Sequence, residues 1–195
     1  MKLSAVKGAL SFLLAASVLG GCSQNPDGLT PVTLNEVAHS IFYAPQYAAI
    51  ELGYFEEEGI DLTLVNGKGA DKVMTALISG DADIGFMGSE SSVYVYQEGS
   101  EDYAVNFAQL TQRAGNFLVS RTPDPDFSWE QLRGKTVLGG RENGMPEMIF
   151  EFILKKNGLD PKTDLSIDKS IDFGLTAAAF SGNDADYTVE FEPHA

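Results

Sequence analysis

Strand-like and helix-like patterns alternate along this chain, and this alternation restricts the possible folds more than any other feature of the sequence. In the first half, short apolar runs typical of strands are separated by longer stretches with the apolar spacing of helices. A strand, a helix and a second strand in this order usually form a parallel pair, so this half predicts a parallel α/β unit. The predicted strands are 32–37, 62–64 and 84–87, and the predicted helices are 44–52 and 73–78.

The same alternation returns after a proline-rich connector at residues 121–126. Ser128 and Gln131 have the spacing of a capping box that opens a short helix, and Pro146 suits the first turn of a longer helix. Two similar α/β halves predict a cleft between them, where ligands bind beyond the carboxyl ends of the strands. The predicted strands are 103–110 and 116–120 before the connector and 136–139, 164–168 and 186–190 after it, with helices at 146–157 and 175–181.

The N-terminal segment differs sharply from the rest of the chain. Residues 1–21 contain two lysines, no acidic residue and an apolar run too short to span a bilayer comfortably. Cys22 follows directly and is the only cysteine, so no disulfide can form within the chain. The sequence Leu-Gly-Gly-Cys at 19–22 resembles a bacterial lipobox, in which the cysteine is lipidated. An ordinary secretory signal with a coincidental cysteine is the alternative, and residues 22–31 are predicted to be a flexible tether.

Charge and composition exclude several kinds of function. The formal net charge is −15, and such an acidic surface repels phosphate backbones, so nucleic-acid binding is not expected. His39 and His194 are the only histidines, and neither has a partner at the spacing of a metal site. No glycine-rich phosphate loop of the Walker form follows a strand. The sequence therefore predicts neither a metal nor a cofactor.

Residues 43–61 resemble the opening segment of substrate-binding proteins that serve ABC importers of sulfonates, nitrate, taurine and thiamine pyrimidine precursors. The resemblance spans residues 32–195 and implies an α/β, two-lobe fold of the type II periplasmic-binding class with parallel-type sheets. Three later stretches fit the same family: 77–85, 132–137 and 190–193.

This organisation divides the chain into a signal peptide at 1–21, a first lobe at 32–120 and a second lobe at 121–195. In members of the family that this sequence resembles, the chain continues beyond the equivalent of Pro193 and returns to complete the first lobe. The resemblance therefore implies that the second lobe is incomplete at the C-terminus. A minimal variant that closes its lobes differently is the alternative.

Loops at the ends of the strands are expected to face the cleft. Glycines in residues 139–144 would let backbone N–H groups approach a ligand at a helix N-terminus, and the matching loop is used in the family. A turn that needs positive φ angles is the alternative for this loop. The candidate ligand-binding residues are Ser40, Phe42, Tyr43, Ser89, Glu90, Arg113, Arg141, Glu142, Asn143, Glu190 and Phe191.

The leading functional prediction is a non-enzymatic binding protein, anchored outside the cytoplasm through Cys22, whose lobes close on a small solute and present it to an ABC permease. Acids outnumber Arg113 and Arg141 in the candidate loops, which favours a pyrimidine-like or other nitrogen heterocycle. Sulfonate, nitrate or taurine is the alternative ligand. A pyrimidine-synthase-like enzyme is the rival class, but those enzymes carry a cysteine cluster and no nucleophile–base pair is visible here.

Overall fold

The computed structural model describes residues 28–112, 115–172, 174–192 and 194–195. A first sheet of three parallel strands has the order β2-β1-β3, and β1 pairs with both neighbours. We call this sheet and its helices the first lobe. Its strands are β1 (Thr30–Glu36), β2 (Ile60–Asn66) and β3 (Ile84–Phe86), and its helices are α1 (Ala44–Glu51), α2 (Tyr54–Glu57), α3 (Ala70–Ser79) and α4 (Glu90–Gln97), with a 3-10 turn at Ile41–Tyr43 before α1.

The second sheet has four strands in the order β4-β7-β5-β6, and with its helices it forms the second lobe. Its three parallel strands lie in the order β6-β5-β7, so the strand that comes first along the chain lies between the other two. The first sheet has the same arrangement, β2-β1-β3, which confirms the predicted duplication of the α/β pattern. The strands are β4 (Asn116–Ser120), β5 (Thr136–Leu138), β6 (Ser166–Asp168) and β7 (Tyr187–Phe191), and the helices are α5 (Met145–Lys156) and α6 (Thr176–Gly182), with a 3-10 turn at Trp129–Leu132.

Local sequence signals fix several element ends. Gly80 ends α3 in the left-handed conformation with a φ of 81°, which a residue with a Cβ adopts only with strain. The capping box of Ser128 and Gln131 is formed, although it opens a 3-10 turn rather than an α-helix. Pro146 lies in the first turn of α5, where its missing N–H costs no hydrogen bond.

The best-packed core lies in the second lobe, where α5 covers the sheet. Each fully buried aliphatic side chain of this size contributes about 1.5–3 kcal/mol relative to an exposed one. The first lobe buries Leu34 of β1 together with Val73 and Met74 of α3. The buried core residues of the second lobe are Leu132, Val137, Phe150, Leu154, Leu159, Leu165 and Val189.

Two predictions about the strands before the connector were wrong. Residues 103–110 were predicted as a strand but form no regular structure, and Val105 and Phe107 are more than two-thirds exposed. An apolar run becomes a strand only when a sheet edge pairs with it, and within the described residues no strand does so. Residues 116–120 do form a strand, but β4 pairs antiparallel with β7 in the second sheet rather than joining the first lobe.

The observed architecture confirms the predicted fold class, an α/β protein with parallel-type sheets in two lobes. Each lobe places the carboxyl ends of its parallel strands, and the loops that follow them, beside the other lobe. Over the described ranges, no helix combines the length and the apolar character needed to cross a bilayer.

Candidate ligand-binding cleft

A cleft of about 1350 Å³ lies between the two lobes and is lined by both of them. The first lobe contributes the start of α1, the loop after β3, the start of α4 and the extended segment 102–112. The second lobe contributes the loop after β5, the start of α5 and the end of β7. A cleft at the carboxyl ends of parallel strands is the usual place for a small-molecule site in such folds.

Glu90 is the most unusual polar group in this lining. It opens α4 in the first lobe and is only 6% exposed, and its Oε2 atom has no hydrogen-bond partner. Burial raises the pKa of Glu90, while the backbone N–H groups of Glu90 and of Met145 in the second lobe act to lower it. A buried carboxylate oxygen without a donor is costly, so a ligand that supplies a donor would relieve this cost.

A second buried carboxylate, that of Glu36 at the end of β1, is fully engaged by its neighbours. Gln46 Nε2 donates to Oε2 at 3.1 Å, the Tyr47 hydroxyl donates to the same oxygen at 2.8 Å, and His39 Nδ1 lies 3.0 Å from Oε1. The His39 ring also stacks on Tyr47 with centroids 4.3 Å apart. This network fixes the loop that carries Ser40 and the start of α1, both of which face the space between the lobes.

Tyr43 lies beside this network and lines the cleft. Its ring packs against Phe86 of β3 at a centroid distance of 4.4 Å. Burial, with smaller contributions from Tyr47 and the carboxylates of Glu36 and Glu90, raises the pKa of Tyr43 to about 12. Its hydroxyl therefore stays protonated at neutral pH and is available as a hydrogen-bond donor.

A smaller cavity of about 150 Å³ adjoins the main cleft on the side of His39 and His194. Glu190 of β7 lines it and is buried, with the hydroxyl of Thr176 donating to Oε2 at 2.9 Å and that of Thr188 donating to Oε1 at 2.7 Å. Both oxygens of Glu190 thus have a donor from their own lobe. Phe191 lines both cavities and contacts Phe42 of the first lobe.

Arg141, in the glycine-containing loop after β5, lines both cavities, but its guanidinium is already paired. It makes two hydrogen bonds to Asp71 of the first lobe and one to Asp172 of its own lobe. The hydrogen bond to Asp71 is the main reason that the pKa of Arg141 lies above its ordinary value. An anionic ligand would have to compete with these two carboxylates for the same guanidinium.

The structure brings together most of the candidate residues named from the sequence. Asn143 lines neither cavity, and its positive φ of 61° fits the turn that was the alternative for this loop. Arg113 and Cys22 lie outside the described residues. The main cleft is lined by Phe42, Tyr43, Ser89, Glu90, Arg141, Glu142 and Phe191, and the smaller cavity is lined by Ser40, Arg141, Glu190 and Phe191.

Sequence reasoning missed two groups of residues at the site. One is the Glu36–Gln46 pair, for which the position of an acid at the end of a strand was an available signal. The other is the segment 103–110, which lines the cleft but was predicted to be a strand. Among the residues that the structure describes, no three His, Cys, Asp or Glu side chains are placed to hold a metal ion.

Two parallel α/β lobes with a lined cleft between them define the class of type II periplasmic-binding proteins. Residues 41–189 match the family described as NMT1/THI5 like, and the chain belongs to this family. A curated relative from Bacillus subtilis strain 168, YtlA, is named as a candidate binding protein. It is 47% identical over 184 residues, which are 94% of this chain and 54% of the relative. The chain therefore spans about half the length of that relative.

Solved structures share the fold at low sequence identity. A protein of Bordetella bronchiseptica RB50 superposes with a TM-score of 0.63 at 22% identity, over 84% of this chain and 52% of that one. The ligand-binding component of an ABC-type import system from Staphylococcus aureus, solved with zinc bound, gives a TM-score of 0.61 at 18% identity, over 85% and 55%. These similarities support the fold and not a particular ligand.

Proposed function

We propose that this chain is the solute-binding component of an ABC importer, which captures a small organic nutrient between its lobes and delivers it to a membrane permease. The observation that carries the proposal is the cleft of about 1350 Å³, lined by the strand-end loops of both lobes. The name of the curated relative, which describes a binding protein and not an enzyme, also supports a binding role. The pyrimidine synthases of the rival class carry a cysteine cluster, whereas the sequence has a single cysteine, Cys22.

We infer further that the ligand is a pyrimidine-like or other nitrogen heterocycle that carries a hydrogen-bond donor. Glu90 lines the cleft and its buried Oε2 lacks a donor, and Phe42, Tyr43 and Phe191 offer aromatic surfaces to a flat ring. A donor from the ligand would pair Glu90 at little additional cost, because the carboxylate is already desolvated.

The alternative ligands of the same class are sulfonate, nitrate and taurine. Helix N-termini at the cleft favour anions in general. Here, however, the Met145 N–H at the start of α5 faces the Glu90 carboxylate, and Arg141 is engaged by Asp71 and Asp172. An anion would have to displace these carboxylates, which counts against this alternative.

A thermal-shift screen followed by calorimetry tests both proposals. The purified chain is screened against aminopyrimidines, other nitrogen heterocycles, sulfonates, taurine and nitrate. We expect a heterocycle to bind, and its affinity to fall about tenfold or more in Glu90→Gln, because the amide replaces an ionised acceptor. Glu98→Gln, at the exposed far end of α4, is the matched control and should bind as the wild type does.

The outcomes separate the two proposals. Tight binding of a sulfonate or nitrate, unchanged in Glu90→Gln and lost in Arg141→Ala, would reject the heterocycle and leave solute binding intact. Absence of binding for every compound class, in protein that unfolds cooperatively, would contradict solute binding itself.

We also propose that residues 1–21 are a lipoprotein signal peptide and that Cys22 carries the lipid anchor, which places the lobes outside the cytoplasm. The support is the Leu-Gly-Gly-Cys sequence at 19–22 and the single use of cysteine. In cells fed a labelled fatty acid, the wild type should incorporate label and sediment with membranes, whereas Cys22→Ala should do neither. An unlabelled wild-type protein that fractionates like the variant would reject the anchor.

A further inference from the structure

The guanidinium of Arg141 joins the two lobes. Arg141 follows β5 in the second lobe, and Asp71 lies in the first turn of α3 in the first lobe. Arg141 Nη2 donates to Asp71 Oδ2 at 3.0 Å, and Nε donates to Asp71 Oδ1 at 3.2 Å. Two parallel bonds between one guanidinium and one carboxylate fix both distance and orientation, which a single charge pair does not.

A third residue holds this guanidinium in place from its own side. Arg141 Nη1 donates to Asp172 of the second lobe, so one arginine is held between a carboxylate of each lobe. We call Asp71, Arg141 and Asp172 the inter-lobe clasp. Gly69, directly before α3, lies against this pair: a Cβ atom there would lie 2.5 Å from Asp71 Oδ1 and 2.6 Å from Arg141 Nε, so a side chain would require both groups to shift. The backbone of the first lobe therefore approaches the guanidinium closely.

The charges favour this pairing, and water still reaches it. Burial acts to raise the pKa of Asp71, but the hydrogen bond and charge of Arg141 outweigh it, so this pKa lies below its ordinary value. The side chain of Arg141 is 22% exposed and that of Asp71 is 49% exposed. Salt will therefore weaken this contact between the lobes, as it weakens other solvent-accessible ion pairs.

We propose that the inter-lobe clasp sets the balance between the open and closed arrangements of the lobes, and that Arg141 is a positioning residue rather than a contact for the solute. Closing the lobes forms the Asp71–Arg141 bonds, whereas opening the cleft breaks them and exposes both groups to water. The clasp thus favours the closed arrangement before any solute binds. The proposal builds on the proposed solute-binding function, but its test needs no solute.

Single-molecule energy transfer measures this balance directly. Donor and acceptor dyes are placed on Glu51→Cys and Lys156→Cys, which are exposed at the ends of α1 and α5, in a chain with Cys22→Ser. We expect Asp71→Asn to lower the closed-to-open ratio about two- to fivefold, the range for a partly exposed ion pair. Arg141→Lys keeps the charge but loses the second bond, and it should give an intermediate ratio. Asp81→Asn, in the exposed turn after α3, should match the wild type.

The dependence of the closed-to-open ratio on salt distinguishes an ion pair between the lobes from an effect of Asp71 on the stability of α3 alone. Raising ionic strength from about 0.05 M to about 0.5 M should lower the closed-to-open ratio of the wild type and leave that of Asp71→Asn nearly unchanged. Equal ratios and equal salt responses in the wild type, Asp71→Asn and Arg141→Lys would overturn the proposal. That result would leave solute binding untouched, because no solute is present in the measurement.

Discussion

Phe42 and Phe191 meet edge to face between the two lobes, with ring centroids 5.3 Å apart and ring planes at 74°. Phe42 lies in the 3-10 turn that precedes α1, and Phe191 ends β7. Phe42 lines only the main cleft, whereas Phe191 lines both the main cleft and the smaller cavity. The pair therefore stands at the boundary between the two cavities and contributes an apolar contact between the lobes.

Removing one ring of this pair should weaken solute binding. Phe42→Ala loses the edge-to-face contact and one aromatic surface of the cleft, so we expect affinity to fall about three- to tenfold, corresponding to roughly 0.7–1.4 kcal/mol. Calorimetry with the best compound of the screen measures the change. Phe152→Ala removes an exposed ring of α5 that lines neither cavity, and it serves as the control. Equal affinities for Phe42→Ala and wild type would show that the pair is not part of the site.

Glu90→Gln should stabilise the protein at neutral pH although it weakens binding. The pKa of Glu90 is raised above its ordinary value of 4.5, chiefly by burial, so the ionised form destabilises the folded state. This cost is absent below about pH 4.5 and grows as pH rises through the folded-state pKa. We expect Glu90→Gln to add roughly 1 kcal/mol to the free energy of unfolding at pH 7.

Urea unfolding of wild type, Glu90→Gln and Glu98→Gln at several pH values tests this expectation. The gain from Glu90→Gln should shrink towards zero as pH falls to about 4.5, the ordinary value for a glutamate. A variant that is less stable than wild type at pH 7 would mean that the carboxylate is better solvated than its burial implies.

Lys169 should matter for stability through two glutamates of α5. Its Nζ lies 2.7 Å from Glu147 Oε1 and 2.7 Å from Glu151 Oε1. Burial acts to raise the pKa of Glu151, but Lys169 and its other donors lower it to about 2, so this stabilisation is present above pH 4.5 and lost as pH falls towards 2. Lys169→Met removes the cation that Glu147 and Glu151 share and leaves Lys155 as the remaining ion-pair partner of Glu151, so it should cost roughly 2 kcal/mol at pH 7.

The measurement is again the free energy of unfolding as a function of pH. The deficit of Lys169→Met should decrease below about pH 4.5, where the glutamates that have lost Lys169 take up protons. Lys162→Met, at an exposed position of the same lobe, should stay close to wild type throughout. A deficit that does not change between pH 7 and pH 3 would point to lost packing of the lysine stem instead.

The periodic parts of the fold could be predicted from the sequence. The apolar stripe of Val73 and Met74 marks α3, and Gly80 ends it as expected, because both signals are local. The pairing of β4 could not be predicted, since strand propensity is local but the choice of a sheet edge is not. For the same reason, residues 103–110 have a sequence typical of a strand but do not form one.

The site was predictable to the extent that it follows from topology. Strand-end loops were expected at the cleft, and Tyr43, Glu90 and Phe191 lie there. Which charges pair across the cleft depends on the packing of one lobe against the other, and this arrangement leaves no periodic signal. Arg141 was named as a ligand contact and does line both cavities, but its pairing with Asp71, a residue 70 positions away, could not be predicted.

Binding in the cleft is the central claim, and a pair of adjacent tryptophan substitutions on α1 tests it most directly. Ala49 lines the cleft, whereas its neighbour Ala48 is exposed and lines neither cavity. Calorimetric titration of the best compound of the screen should give wild-type affinity for Ala48→Trp and a loss of about tenfold or more for Ala49→Trp, because the indole fills the space of the solute. Wild-type affinity in Ala49→Trp, with the protein still folded, would place the ligand elsewhere and contradict the account.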